Sequence, residues 1–114
     1  MDKATAKINY GDKEFAHWVV SKFDELKDLF LSKQVQYGTD DPLANFRTGA
    51  LLNTGTPTYT AMYDEAKAYQ RKHVAHIYNH DIDGNKVTES LADIAVYCLI
   101  MMYLHDKHSK EGDI

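Results

Sequence analysis

The feature that most constrains this chain is a run of fourteen residues, Leu91 to Leu104, that is apolar except for Asp93. A helix through such a run is hydrophobic nearly all round, and a helix of that kind needs neighbours on several sides. The run is shorter than the ~20 residues that a membrane span requires. The first residues, MDKATAKINYGDKEF, contain no apolar core of a secretory signal. A soluble cytoplasmic chain with no membrane partner is the expectation.

Other counts narrow the class further. The 114 residues suit one domain. With Cys98 as the single cysteine, no intrachain disulfide framework can form. The net charge of −4 comes without any basic block, which argues against binding to a nucleic-acid polymer. Six glycines and two prolines leave room for long uninterrupted helices.

Hydrophobic periodicity agrees along the chain. Residues 1–12 read as a flexible arm ending near Gly11, with Asp12 able to cap the first helix. Phe15, Trp18, Val19, Phe23, Leu26, Leu29 and Phe30 step by three or four and predict a helix from Lys13 to Tyr37, stopped by Gly38. Trp18 and the phenylalanines read as core. Asp41-Pro42 predicts a capped short helix from Pro42 to about Leu52.

A third helix is expected from Pro57 or Thr58 to Asn79. Met62, Ala66, Tyr69, His73 and Ile77 form its apolar stripe, and Glu65, Gln70 and Lys72 lie opposite. His80–Lys86 reads as a turn. The fourth helix starts near Val87 or Thr88, with Thr88 as cap, and reaches Lys107. The tail, residues 109–114, is expected to fray. No segment alternates at period two. The expected fold is therefore all-α, a compact bundle of three long helices and one short one over residues 13–108. An apolar face left uncovered by so short a bundle points to a homo-oligomer.

Polar groups on helix faces that pack together are the candidates for function. Glu89, Asp93 and Tyr97 share one face at four-residue spacing. A carboxylate inside an apolar run needs a cation, and the sequence offers Mg²⁺, Arg71 or Lys67. Two carboxylates with oxygen-only partners suit Mg²⁺; an ion pair with Arg71 is the structural alternative. Asp64, Lys67 and Arg71 form a second row, with Asp64 a further metal ligand and the two cations suited to phosphate. Lys33, Tyr37, Asn45, Phe46 and Arg47, with Asp40 and Asp41 beside them, are parts that suit a nucleotide. His73, His76 and His80 have metal-ligand spacing but read more simply as a histidine row. Asn79–Asn85 matches only the first half of a calcium loop. Cys98, inside the apolar run, reads as an inert core thiol.

Four motifs together resemble a known family: K-x-x-x-Y-G at Lys33–Gly38, D-P-x-x-N-F-R at Asp41–Arg47, D-x-x-K-x-x-x-R at Asp64–Arg71, and E-S-L-x-D-x-x-x-Y at Glu89–Tyr97. They resemble phage proteins of the nucleotide-modification-associated domain 1 type. Those proteins are in turn similar to the all-α, MazG-like nucleoside triphosphate pyrophosphohydrolases. The resemblance spans residues 15–105. It implies a phage-encoded protein working in the host cytoplasm, with a small nucleotide as ligand and Mg²⁺ as cofactor. Glu89 and Asp93 match the family's later metal-binding carboxylates, with Asp64 added from the third helix. Lys33, Lys67 and Arg71 would face phosphates, and Tyr37, Asn45, Phe46, Arg47 and Tyr97 would contact the rest of the nucleotide. The implied reaction is Mg²⁺-dependent release of pyrophosphate. The alternatives are a non-hydrolysing sponge for a host signalling nucleotide and a structural or interaction module.

Overall fold

The computed structural model describes the backbone of residues 3–37 and 41–113, and the side chains of 13–32 and 41–113. The fold is all-α, with four helices and no strand among the described residues. It divides into two units, Met1–Gly38 and Thr39–Ile114.

The first unit is built on α1, Lys3–Tyr37. This helix begins ten residues before the expected start at Lys13 and runs through Gly11. One glycine costs a helix only about 1 kcal/mol relative to alanine, too little to stop a segment of good helix formers. The Asp12 cap and the Gly38 stop lie outside the described side chains and backbone. Phe15, Trp18 and Phe23 are 67%, 60% and 60% exposed. They are not core, because a lone helix has no second layer in its unit to bury a stripe. Lys22 lies 5.1 Å from the centre of the Trp18 ring and also pairs with Glu25 at 2.5 Å.

The second unit holds α2 (Ala44–Thr54), α3 (Tyr59–Tyr78) and α4 (Val87–Glu111). Helix α3 packs against both others. Phe46 and Ala50 of α2, Ala61, Met62 and Ala66 of α3, and Leu104 of α4 form the buried core. Three small alanines there let the helix axes approach, while Met62 and Leu104 fill the remaining volume.

The helix ends follow local chemistry. Asp41 does not cap α2 at Pro42. Its carbonyl accepts from Ala44 N–H at 3.1 Å and its carboxylate from Leu43 N–H at 3.0 Å, so Pro42-Leu43 form a turn and the helix starts at Ala44. Gly55 ends α2 in the left-handed region at φ 82°, where its missing Cβ removes the strain. Thr58 caps α3 by accepting from Ala61 N–H at 3.1 Å, so the helix starts at Tyr59, one residue after the expected Thr58. Thr88 does not cap α4: Lys86 takes the cap position at φ 62°, inside the compact turn after α3.

Three further expectations are corrected. The tail does not fray among the described residues: α4 continues to Glu111, and the Asp113 carboxylate accepts from Thr60 N–H at 2.9 Å and lies 3.2 Å from His108 Nδ1. A free N–H in the first turn of α3 is thereby satisfied by a carboxylate from beyond α4. Cys98 is exposed, not core. Within its unit, α4 packs on α3 by one face only, leaving Leu91, Leu99 and Tyr103 about half exposed and Met102 more so. With 25 residues, α4 is also long and apolar enough to cross a membrane, which the fourteen-residue run alone is not.

Candidate functional site

The polar face of α4 is set by its contact with α3. Ser90, Tyr97, Ile100, Met101 and Leu104 turn toward the core, and this rotation carries Asp93 to the edge of the interface. There Asp93 Oδ2 lies 3.6 Å from His73 Nε2 of α3. Both side chains are largely shielded, 26% and 17% exposed. His73 thus faces Asp93, while Arg71 and Lys67, two of the cations offered for it, are exposed on another side of α3. The His73 ring lies 5.8 Å from the Tyr97 ring at 32°.

Behind them sits an aromatic wall. Phe46 meets the Tyr97 ring edge-on at 6.1 Å and the Tyr69 ring at 5.4 Å. Phe46 is only 6% exposed. It backs Tyr97 and Tyr69 from inside and presents no face for a base to stack on. The D-P-x-x-N-F-R segment therefore divides by face: Phe46 points inward while Asn45 and Arg47 stay exposed. Arg47 Nε donates to Asp41 Oδ2 at 3.0 Å. That bond, with the Leu43 N–H, holds the Asp41 carboxyl below its ordinary value.

The second row does not join this site. Asp64, Lys67 and Arg71 are all exposed, on the side of α3 away from Met62, Ala66 and His73. Lys67 pairs with Asp64 at 3.4 Å and lies 5.4 Å over the Tyr63 ring. Helical geometry explains the separation: residues 64, 67 and 71 share one face, and 62, 66, 69 and 73 another. Glu89 is exposed one turn before Asp93. Among the described residues, no three His, Cys, Asp or Glu side chains are grouped to hold a metal ion. The histidine row divides in the same way. His73 faces Asp93, whereas His76 and His80 stack on each other at 4.1 Å. His76 Nε2 bonds to the Asn85 carbonyl at 2.7 Å, and His80 Nδ1 to the His76 carbonyl at 2.7 Å. These bonds hold the turn after α3. The side chains of Lys33, Tyr37 and Asp40 lie outside the described residues.

The residues that periodicity misplaces are Glu65 and Gln70. Glu65 is 7% exposed, between α2 and α3. Its carboxylate accepts from the Asn53 amide and from the Tyr69 hydroxyl. Burial, then the Glu65 charge and hydrogen bond, raise the Tyr69 phenol above its ordinary value. Among the described residues, no buried side-chain nitrogen or oxygen lacks a partner. The available signal is spacing, because Glu65 stands three residues after Met62 and four before Tyr69, on the buried stripe itself. Gln70 donates to the Ile94 carbonyl at 3.2 Å and to Cys98 Sγ at 3.3 Å, tying α3 to α4.

No family model, no curated protein and no solved structure matches this chain. The family resemblance rests on the four motifs alone.

Proposed function

We propose that the chain binds a small nucleotide at the edge of the α3–α4 interface, around His73, Asp93 and Tyr97. The observation that supports this reading is the half-buried Asp93–His73 pair beside the Tyr97 ring, at the rim of the hydrophobic core. Such a group offers an imidazole, a phenol and a carboxylate at one place. In this reading the imidazole and phenol bind ligand oxygens, and Asn45 and Arg47 of α2 contribute from their exposed positions. Glu89 and Asp93 are the carboxylates on one helix face that would take Mg²⁺, which keeps waters and bridges phosphates where a protein supplies few ligands. Release of pyrophosphate is the activity this arrangement would support, and sequestration without cleavage is the same binding without water activation.

A thermal-shift screen of nucleotides with and without Mg²⁺ tests the reading. Ligand at a hundredfold over its Kd stabilises by about 2.7 kcal/mol, which raises Tm by several degrees. Asp93→Asn is expected to abolish the shift. Mass analysis of the released ligand then separates the two forms, since pyrophosphate marks a hydrolase and intact nucleotide marks a sponge. Failure of every nucleotide to raise Tm would overturn the proposal.

A second reading, an interaction module, is favoured by one separate observation: the exposed apolar face of α4.

A further inference from the structure

We infer that α4 is an interface between two copies of this chain, packed antiparallel along Leu91, Ala95, Cys98 and Met102. These four positions are spaced by four, three and four residues, the interval of a helix–helix seam. Leu91 is 49% and Met102 65% exposed; between them Cys98 is exposed and Ala95 half-buried. Leu99 and Tyr103, 50% and 49% exposed, flank the seam.

The seam is complementary to itself. Large residues stand at its ends and small ones, Ala95 and Cys98, at its middle, so two axes can approach closely there. Reversing one copy sets Leu91 against Met102 of the partner subunit and Ala95 against Cys98 of the partner subunit. Residues 94–105 contain no Asp, Glu, Lys or Arg, so self-pairing brings no like charges together. The antiparallel direction opposes the two helix dipoles, whereas a parallel pair would align them. The seam from Leu91 to Met102 covers about 16 Å of helix, and Leu99 and Tyr103 widen it.

A lipid surface fits the same face less well. Interfacial helices carry Lys and Arg along their polar side, and α4 has neither before Lys107 while bearing Glu89, Asp93 and Asp106. Its other side is tied to α3 through His73 and through Gln70, which bonds the Ile94 carbonyl and reaches Cys98 Sγ at the edge of the seam.

Sedimentation of the full chain tests this, with Met102→Glu as the disrupting variant. The wild type is expected at twice the 13.0 kDa of one chain at tens of micromolar, and Met102→Glu at 13.0 kDa with its helical circular dichroism kept. If that variant loses its helical signal, a second pair of variants decides. Leu91→Cys and Met102→Cys, each with Cys98→Ser, are mixed and oxidised. A mixed disulfide that exceeds either self-crosslink supports the antiparallel seam. A monomeric wild type, a monomer that partitions into neutral or anionic vesicles, a dimer unaffected by Met102→Glu, or dominant self-crosslinking would each overturn it.

Discussion

Gly49 of α2 sits directly beneath the carboxylate of Glu65. A Cβ on Gly49 would stand 2.5 Å from Glu65 Oε2 and 2.9 Å from the Tyr69 hydroxyl. Those atoms are side-chain ends, but Asn53 and Tyr69 hold them by hydrogen bonds in a buried site. Gly49→Ala therefore gains about 1 kcal/mol of helix propensity and loses about 1–3 kcal/mol to overpacking and broken bonds. Urea denaturation is expected to show net destabilisation. In the double variant Gly49→Ala/Glu65→Ala the cost should fall well below the sum of the single costs.

Tyr69 gives this cluster an alkaline signature. Its folded-state value is raised above the ordinary 10.0. The stability it contributes is full below pH 10.0 and is lost as pH rises through the folded value. Tyr69→Phe is expected to flatten that part of the stability profile, read by chemical denaturation from about pH 9 to about pH 11.

Asp113 gives an acid signature of the opposite sign. Its bonds to Thr60, and to His108, hold its carboxyl below the ordinary 3.8. The stabilising contribution is present above pH 3.8 and is lost as pH falls through the lower, folded value. Asp113→Asn should lower Tm near neutral pH, and the gap from wild type should close in strong acid. A constant gap across that range would show that the charge is not what matters.

The two rows of α3 separate cleanly by mutation. Lys67→Ala and Arg71→Ala change exposed groups and are expected to shift stability by no more than about 0.5 kcal/mol. His73→Ala removes the imidazole facing Asp93 and should cost more, on the order of 1–2 kcal/mol, because the pair is shielded yet still reached by water. Nucleotide-dependent thermal shifts should vanish in His73→Ala and persist in Lys67→Ala.

The helices are legible in the sequence because their causes are local. The start of α3 near Thr58 and the HDIDGNK turn rest on residues within a few positions of themselves; the Thr58 cap bond and the Gly55 stop are as local, although neither is read from the sequence. Placement of polar side chains is less legible. Asp93 and Tyr97 stand out as polar and aromatic groups of one helix face, and both meet His73 at the α3 edge. Glu65 reads as solvated because carboxylates seldom lie buried, yet its partner Asn53 comes from a different helix, twelve residues away. The exposure of Cys98 and Met102 is hidden for the opposite reason. An apolar run states that contacts are needed but not whether the same chain supplies them.

The bond from Asp113 to Thr60 also makes a circuit of the helical pair. The turn at residues 79–86 joins α3 to α4 at one end, and this bond latches them at the other. Neither end can splay unless the latch opens or the turn unfolds. The Thr60 amide is therefore a reporter for a residue 53 positions away. Its hydrogen-exchange rate reads out whether the end of α4 is docked, and a residue added or removed next to Asp113 would be felt first at the start of α3.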